Sequence, residues 1–250
     1  GGDVAVSPNG KEVAFIFRGE VFVTSVEGGI TKRITNTPQQ ERDLAFSKDG
    51  RTLYYSAERG ESWDIFRTSI SRKEEPYFYA STLLKEESVL VSDKEEFQPV
   101  ISPDGKLMAY LEERNILKVY NLEKKTSVTI IGAGKNFSYR DGDQEYAWSP
   151  DSKWIVARSA KGRYGASEGV LYKADGTTPE GYDLTKSGFQ DGGFQWALDG
   201  KAMLWVSDKW GRKSLAYQGS REVDIYMMFF DQDTYDRFRL SKEDYALLKE

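Results

Sequence analysis

The sequence predicts an all-β fold built from repeated four-stranded antiparallel sheets, and three observations support this prediction. A short turn motif recurs five times among the 250 residues, at intervals of 40 to 55 residues. Short apolar segments of strand length follow each copy of the motif. The aromatic content of 14% is high enough for a packed core. Small antiparallel sheets that repeat at this interval are typical of the blades of a β-propeller.

The repeated motif is an apolar residue followed by Ser-Pro-Asp-Gly-Lys or a variant of it. Pro sets φ at the second turn position, Asp or Asn forms a side-chain turn, and Gly supplies the positive φ of a tight hairpin. The apolar residue ends one strand, and the basic residue begins the next. The five copies cover residues 6–11, 46–51, 101–106, 148–153 and 196–201, with Ala197-Leu198 replacing Ser-Pro in the last.

Three further strands are predicted after each turn. Second strands at 13–15, 53–55, 108–110, 155–157 and 203–205 are almost continuously apolar, as expected of strands covered on both faces. Third strands follow at 21–23, 65–66, 117–120, 170–172 and 225–227. Fourth strands, at 33–35, 77–90, 128–130, 183–185 and 238–241, are more polar, as suits an outer edge.

These strands predict a propeller over residues 3–241, with blades at about 3–40, 41–92, 97–135, 143–187 and 191–241. The five blades could close as they stand or form an arc of a six- or seven-bladed ring. Residues 242–250 predict the start of a helix leading to a downstream domain, because Ser241 and Asp244 have capping-box spacing. The extra residues 74–87 of the second blade predict a solvated insertion.

The composition excludes most kinds of enzyme. The chain has no Cys and no His, which excludes disulfides, thiol nucleophiles, Ser-His-Asp triads and imidazole metal ligands. A net charge of −5 with mixed signs shows no basic stripe for nucleic acid. No apolar run approaches the roughly 20 residues of a membrane-spanning helix. Catalysis would therefore rest on carboxylates, Lys, Tyr or an oxygen-bound cation.

The acidic residues of the sequence are better explained as turn residues than as a site. One Asp or Asn occupies the same position in each repeated turn, where its side chain caps the turn. Asp141 and Asp143, and Asp231 and Asp233, have short oxygen-ligand spacing, but neither pair begins the twelve-residue loop of a calcium hand. The sequence thus predicts surface turns at both pairs, with no metal, no cofactor and no catalytic residue.

Binding residues are predicted in two long connections between second and third strands, at 158–168 and 207–221. Arg together with aromatic residues is the composition of binding hot spots, and propellers bind through such loops. The candidates for contact with a peptide or another domain are Arg158, Arg163, Tyr164, Trp210, Arg212 and Tyr217.

Longer segments carry a family resemblance. The turn motif is similar to the propeller repeat of the Tol-associated periplasmic protein and of tricorn-type peptidases. Residues 18–23, 33–38, 74–78, 110–114 and 228–242 resemble bacterial tricorn-like serine peptidases. Two features depart from the family's pattern: Ala197-Leu198 in the fifth motif and the absence of His from residues 207–221.

The resemblance implies a non-catalytic propeller region from a serine peptidase. Such a region would gate or bind peptide substrate and dock downstream PDZ-like and protease domains, so peptides and those domains are the implied partners. It also implies a periplasmic or other extracytoplasmic location. No catalytic residue is carried over, because the family's catalytic groups lie in domains that this sequence does not contain.

Two alternatives stay open at this stage. The chain could be a stand-alone periplasmic propeller that binds a protein partner. It could also be a glycoside hydrolase that uses two or three carboxylates, which needs no His. Against the hydrolase, no first-strand Asp or Glu stands out in the sequence as facing a central funnel.

Overall fold

A computed structural model describes residues 2–138, 142–160, 167–186, 190–208 and 223–249. The strands of these residues form five antiparallel sheets, each with its strands in sequence order. The chain divides into two compact units, residues 1–144 with 173–180, and residues 145–172 with 181–250. The fold is therefore an all-β propeller of five blades, as the sequence predicts.

The first unit contains three four-stranded sheets. Sheet one comprises β1 (Val4–Val6), β2 (Glu12–Phe17), β3 (Glu20–Ser25) and β4 (Thr31–Arg33). Sheet two comprises β5 (Glu41–Phe46), β6 (Thr52–Arg59), β7 (Ser62–Ile70) and β8 (Leu84–Leu90). Sheet three comprises β9 (Glu96–Ile101), β10 (Leu107–Glu112), β11 (Ile116–Asn121) and β12 (Thr126–Ile131). A single 3-10 turn, Phe78–Ala80, precedes β8.

The second unit contains the other two sheets. Sheet four comprises β13 (Tyr146–Trp148), β14 (Trp154–Ser159), β15 (Glu168–Lys173) and β16 (Tyr182–Asp183). Sheet five has three strands among the described residues, β17 (Asp191–Ala197), β18 (Ala202–Ser207) and β19 (Asp224–Phe229). Helices α1 (Gln232–Arg239) and α2 (Lys242–Lys249) follow. Neither helix is long and apolar enough to cross a membrane.

The prediction of an outer strand at 238–241 is wrong, because this segment lies at the end of α1. Asp231 caps that helix, accepting a hydrogen bond of 2.7 Å from Thr234 N–H. Asp233 and Arg237 then form an i,i+4 ion pair along it. Phe238 packs on Phe229, with ring centroids 5.2 Å apart. The cap at residues 231–234 is a local helix signal, and the prediction of a surface turn at Asp231 and Asp233 is therefore wrong.

The repeated turn is closed by a serine hydroxyl that makes two hydrogen bonds. In the third sheet, Ser102 Oγ donates to Asp104 (2.6 Å) and accepts from Leu107 N–H (3.0 Å), while Asp104 accepts from Lys106 N–H (3.0 Å). The turns that begin at Ser7, Ser47 and Ser149 repeat this pattern. Hydrogen bonds to the charged form hold the pKa of Asp104 below its usual value, although partial burial opposes this shift.

Neighbouring turns also touch one another within each unit. A Cβ added to Gly50 would lie 3.6 Å from Pro8, and one added to Gly200 would lie 3.3 Å from Pro150. Both glycines have positive φ, near +71° and +82°. Gly at these positions thus allows the positive φ and the close approach of the preceding blade's turn.

Hydrophobic residues fill the space between consecutive sheets of each unit. Val21, Leu44, Leu53 and Tyr55 belong to the cluster between sheets one and two, and all are buried. The predicted solvated insertion at 74–87 is wrong at Phe78, which is fully buried against Phe46. An aromatic side chain on a 3-10 turn therefore completes this part of the core.

We expect the substitution Ser102→Ala to lower the free energy of unfolding by about 1–2 kcal/mol, because the partly buried Leu107 N–H and the Asp104 carboxylate both lose the hydroxyl as a hydrogen-bond partner. Urea unfolding followed by tryptophan fluorescence measures the effect. Ser88→Ala is the control, since Ser88 is exposed on β8. Equal stability of Ser102→Ala and the parent chain would contradict a stabilising role for the hydroxyl.

Candidate functional site

An open depression lies where the inner strands of the first two sheets begin. Its volume is about 730 Å³. The β2–β3 hairpin approaches from one side, and the start of β5 forms the other. Its polar side chains come from Asp3, Arg18, Gln40, Glu41, Arg42 and Asp43. The depression therefore combines two guanidinium groups with carboxylates.

Arg42 is held by aromatic rings. Its guanidinium carbon lies 3.8 Å from the ring centroid of Trp63 and 5.3 Å from that of Phe97. The two rings are 6.0 Å apart, and Arg114 approaches Phe97 from 5.9 Å. Cation–π contact of this kind restricts the orientation of a guanidinium. Arg42 is thus a positioned cation at the edge of the depression.

Asp43 connects the second sheet to the third. It lies in a β-bulge with φ near +62°, and its carboxylate accepts a hydrogen bond of 3.1 Å from Gln98 N–H on β9. Burial raises the pKa of Asp43, although this hydrogen bond opposes the shift. Gln98 and Gly193 occupy the matching bulges of β9 and β17, also with positive φ. Asp43 therefore has a structural role at the floor of the depression.

Glu41 is also engaged by neighbouring side chains. It accepts hydrogen bonds from the hydroxyls of Thr35 and Thr37, and Arg59 lies 2.7 Å from its carboxylate. Burial raises the pKa of Glu41, while Arg59 acts against this. Arg59 reaches Glu86 at 3.1 Å as well. This network ties sheet one to sheet two and leaves Glu41 little capacity for chemistry.

A buried pair of carboxyl groups lies at the start of the third sheet. Glu96 and Asp64 are only 1% and 2% exposed. Ser92 donates to Glu96 through its hydroxyl and to Asp64 through its backbone N–H. Burial, reinforced by the nearby Asp64 and Glu112, raises the pKa of Glu96 to about 8, against the hydrogen bond from Ser92. Solvent and substrate do not reach this pair, which argues against a catalytic role.

Of the predicted contact residues, Arg158 is described. It lies in β14 of the second unit, not in the predicted connection, and donates to the side chain of Gln190 at 3.1 Å. Arg163, Tyr164, Trp210, Arg212 and Tyr217 lie outside the described residues, so this cluster stays a prediction. In the part of the chain that the structure describes, three or more metal-ligating side chains do not come together.

An acidic residue at or shortly before the inner strand recurs in four of the five repeats and was not among the predicted features. Glu41, Glu96, Asp143 and Asp191 each stand five residues before the apolar residue that opens the turn motif. This spacing was available in the sequence and could have identified the position. The contact of Arg42 with Trp63 could not be found in this way, because it depends on how β5 and β7 are placed on either side of β6.

The pKa of Glu96 predicts that stability falls as the solution becomes alkaline. A carboxyl whose pKa is raised on folding contributes stability that is fully present below its ordinary value, near 4.5, and is lost as the pH rises through about 8. Glu96→Gln should therefore be more stable than the parent chain at pH 9, on the order of 2 kcal/mol, with little gain at pH 4.

Urea unfolding at a series of pH values measures this difference. Glu113→Gln is the control, because Glu113 is an exposed carboxylate in the β10–β11 hairpin. Parallel stability profiles for Glu96→Gln and the parent chain from pH 4 to pH 9 would refute the buried, protonated state of Glu96.

Comparisons with known proteins find similarity at the level of structure. No protein-family model matches the sequence, and no curated protein is similar enough in sequence to count as a relative. A structure assigned as TolB from Agrobacterium tumefaciens is similar over 92% of this chain and 76% of its own, with 16% identity and a TM-score of 0.61. TolB from Acinetobacter baumannii matches over 89% of this chain and 50% of its own, with 14% identity and a TM-score of 0.56.

The tricorn protease is also similar, with 13% identity and a TM-score of 0.64. The similarity covers 96% of this chain but only 24% of the tricorn protease, so this chain spans about a quarter of that protein's length. Identities this low establish a shared fold and no more. The chain has the β-propeller fold found in TolB and in the tricorn protease.

Proposed function

We propose that this chain is a non-catalytic propeller that binds peptide segments through the depression in its first unit. The observation that carries the proposal is the guanidinium of Arg42, held over Trp63 at the edge of that depression. A positioned guanidinium binds a carboxylate through two parallel hydrogen bonds. Arg18 is exposed and adds a second guanidinium to the same lining.

The lining favours a ligand that bears carboxylates. Glu41 is neutralised by Arg59, and Asp43 is buried under the hydrogen bond from Gln98. The exposed carboxylate of the lining is that of Asp3, and the same lining contains the guanidinium groups of Arg18 and Arg42. An acidic side chain or a chain-terminal carboxylate therefore suits this depression better than a basic one.

The wider proposal is that the chain is the propeller region of a tricorn-like peptidase, where it would bind or gate peptide substrate and dock the PDZ-like and protease domains. The family-like segments and the structural similarity to the tricorn protease support it. The resemblance also supports an extracytoplasmic location. A stand-alone protein-interaction propeller is the second candidate, favoured by the match to 76% of a TolB chain.

The structure does not favour the glycoside hydrolase alternative. Glycosidases need two carboxyl groups that flank a substrate bond within an open cleft. The inner-strand acids of the first unit, Glu41, Asp43 and Glu96, are instead buried and engaged with Arg59, Gln98 and Ser92.

Fluorescence anisotropy with a labelled, glutamate-rich peptide tests the depression. We expect Arg42→Ala to weaken binding about tenfold, equivalent to ~1.4 kcal/mol. Arg42→Lys should recover only part of the affinity, because a lysine ammonium cannot form the two parallel hydrogen bonds. Arg72→Ala is the matched control, since Arg72 is an exposed arginine outside the lining.

The same peptide with glutamine in place of glutamate should bind more weakly to the parent chain. Equal affinities of the parent chain and Arg42→Ala, or no binding of either peptide, would overturn the proposed site. Hydrolysis of the peptide by the purified chain would contradict the non-catalytic role.

A further inference from the structure

The second unit carries a separate groove between the turns of its two sheets. Its volume is about 270 Å³, smaller than the roughly 300–1,000 Å³ of pockets that enclose whole small molecules. The size suits a single side chain. The side chains that define it are those of Asp151, Trp154, Leu171, Trp196, Asp199 and Phe230.

The aromatic walls of the groove are held in place. The indole N–H of Trp196 donates to the carbonyl of Ala147 at 3.4 Å. The rings of Trp196 and Phe230 lie 5.9 Å apart at an angle of 37°. Phe230 N–H donates to the carbonyl of Lys201, and the Phe230 side chain is 40% exposed. An exposed aromatic ring is therefore presented on a hydrogen-bonded backbone.

This aromatic lining is specific to the second unit. Trp154 N–H donates to the hydroxyl of Ser149, as Thr52 and Leu107 N–H do to the matching serines in the first unit. The position of Phe230 is equivalent to that of Ile70 and Leu122 in the first unit. Each of these residues donates its backbone N–H to the carbonyl of the basic residue in the turn of its own sheet. Two large rings thus replace smaller side chains at equivalent positions.

The polar atoms of the groove mainly accept hydrogen bonds. Ser149 already donates to Asp151 at 2.6 Å, and this hydrogen bond, with partial burial opposing, lowers the pKa of Asp151. Asp199 is exposed in the neighbouring turn. The lysines that follow these aspartates in sequence do not line the groove. Two carboxylates in a groove lined by aromatic rings favour a cationic ligand whose polar groups are all hydrogen-bond donors.

We propose that this groove binds an arginine side chain carried by a segment of another protein. A guanidinium has five N–H donors and no acceptor, matches a carboxylate with two hydrogen bonds and stacks on aromatic faces. Sugar hydroxyls require donors as well as acceptors, which this lining supplies poorly. The groove is distinct in residues and in charge from the depression of the first unit, so the proposal goes beyond the function proposed above.

Calorimetric titration of the full chain with a blocked pentapeptide, one arginine among glycines, tests the groove. The matched probe carries citrulline, the uncharged analogue of arginine, and should bind about tenfold more weakly. A lysine peptide should bind with intermediate affinity. Asp199→Asn and Phe230→Ala should each weaken arginine binding roughly fivefold or more.

Two control variants make the result specific. Phe17→Ala removes an aromatic side chain that is 55% exposed and does not line the groove, and should leave arginine binding unchanged. Arg42→Ala should also leave it unchanged, which separates this site from the acidic-peptide site. If Phe230→Ala unfolds, Asp199→Asn still tests the site. This variant should fold, since Asn tolerates the positive φ of +54° at position 199.

Three outcomes would overturn the proposal. The first is equal binding of the arginine and citrulline peptides. The second is no binding of the arginine peptide at millimolar concentration. The third is binding of cellohexaose that Phe230→Ala abolishes while the arginine peptide does not bind, which would assign the groove to carbohydrate.

Discussion

In four of the five sheets, one serine hydroxyl joins the end of the inner strand to the start of the second strand. It accepts the N–H five residues later and donates to the Asp or Asn two residues later, whose side chain accepts the N–H of the following basic residue. These hydrogen bonds set the turn, and the turn sets the register in which the inner and second strands pair. Because Gly50 and Gly200 also meet a proline of the preceding blade, the same turn sets the spacing between neighbouring sheets.

The opposite ends of the inner strands are held by charge. A buried carboxylate is costly unless it is paired or hydrogen-bonded, and each one described here has such partners. Glu41 is paired with Arg59 across the second sheet, and Asp43 accepts from β9. In the second unit, Glu145 accepts a hydrogen bond of 2.7 Å from Phe194 N–H in the same way. These acids join blade to blade, which explains why carboxylates are frequent at these strand ends.

The two proposed binding sites each combine charged side chains with aromatic rings. In the first unit, the ring is that of Trp63 under Arg42, and the charge offered is positive. In the second unit, the rings are those of Trp196 and Phe230, and the charge offered by Asp151 and Asp199 is negative. In the first unit the cation lies over an aromatic face, whereas in the second unit carboxylates and aromatic rings line the same groove.

The sequence by itself determined the five turns, the second and third strands and the polar character of most outer strands. All of these depend on local φ preferences and on hydrophobic patterning within about ten residues. Only the tertiary structure decided that Phe78 is buried, that Arg42 stacks on Trp63 and that Trp196 meets Phe230. Those contacts join residues 21 to 34 positions apart, or bury a side chain against another strand. No local pattern specifies them, because they depend on how finished sheets pack together.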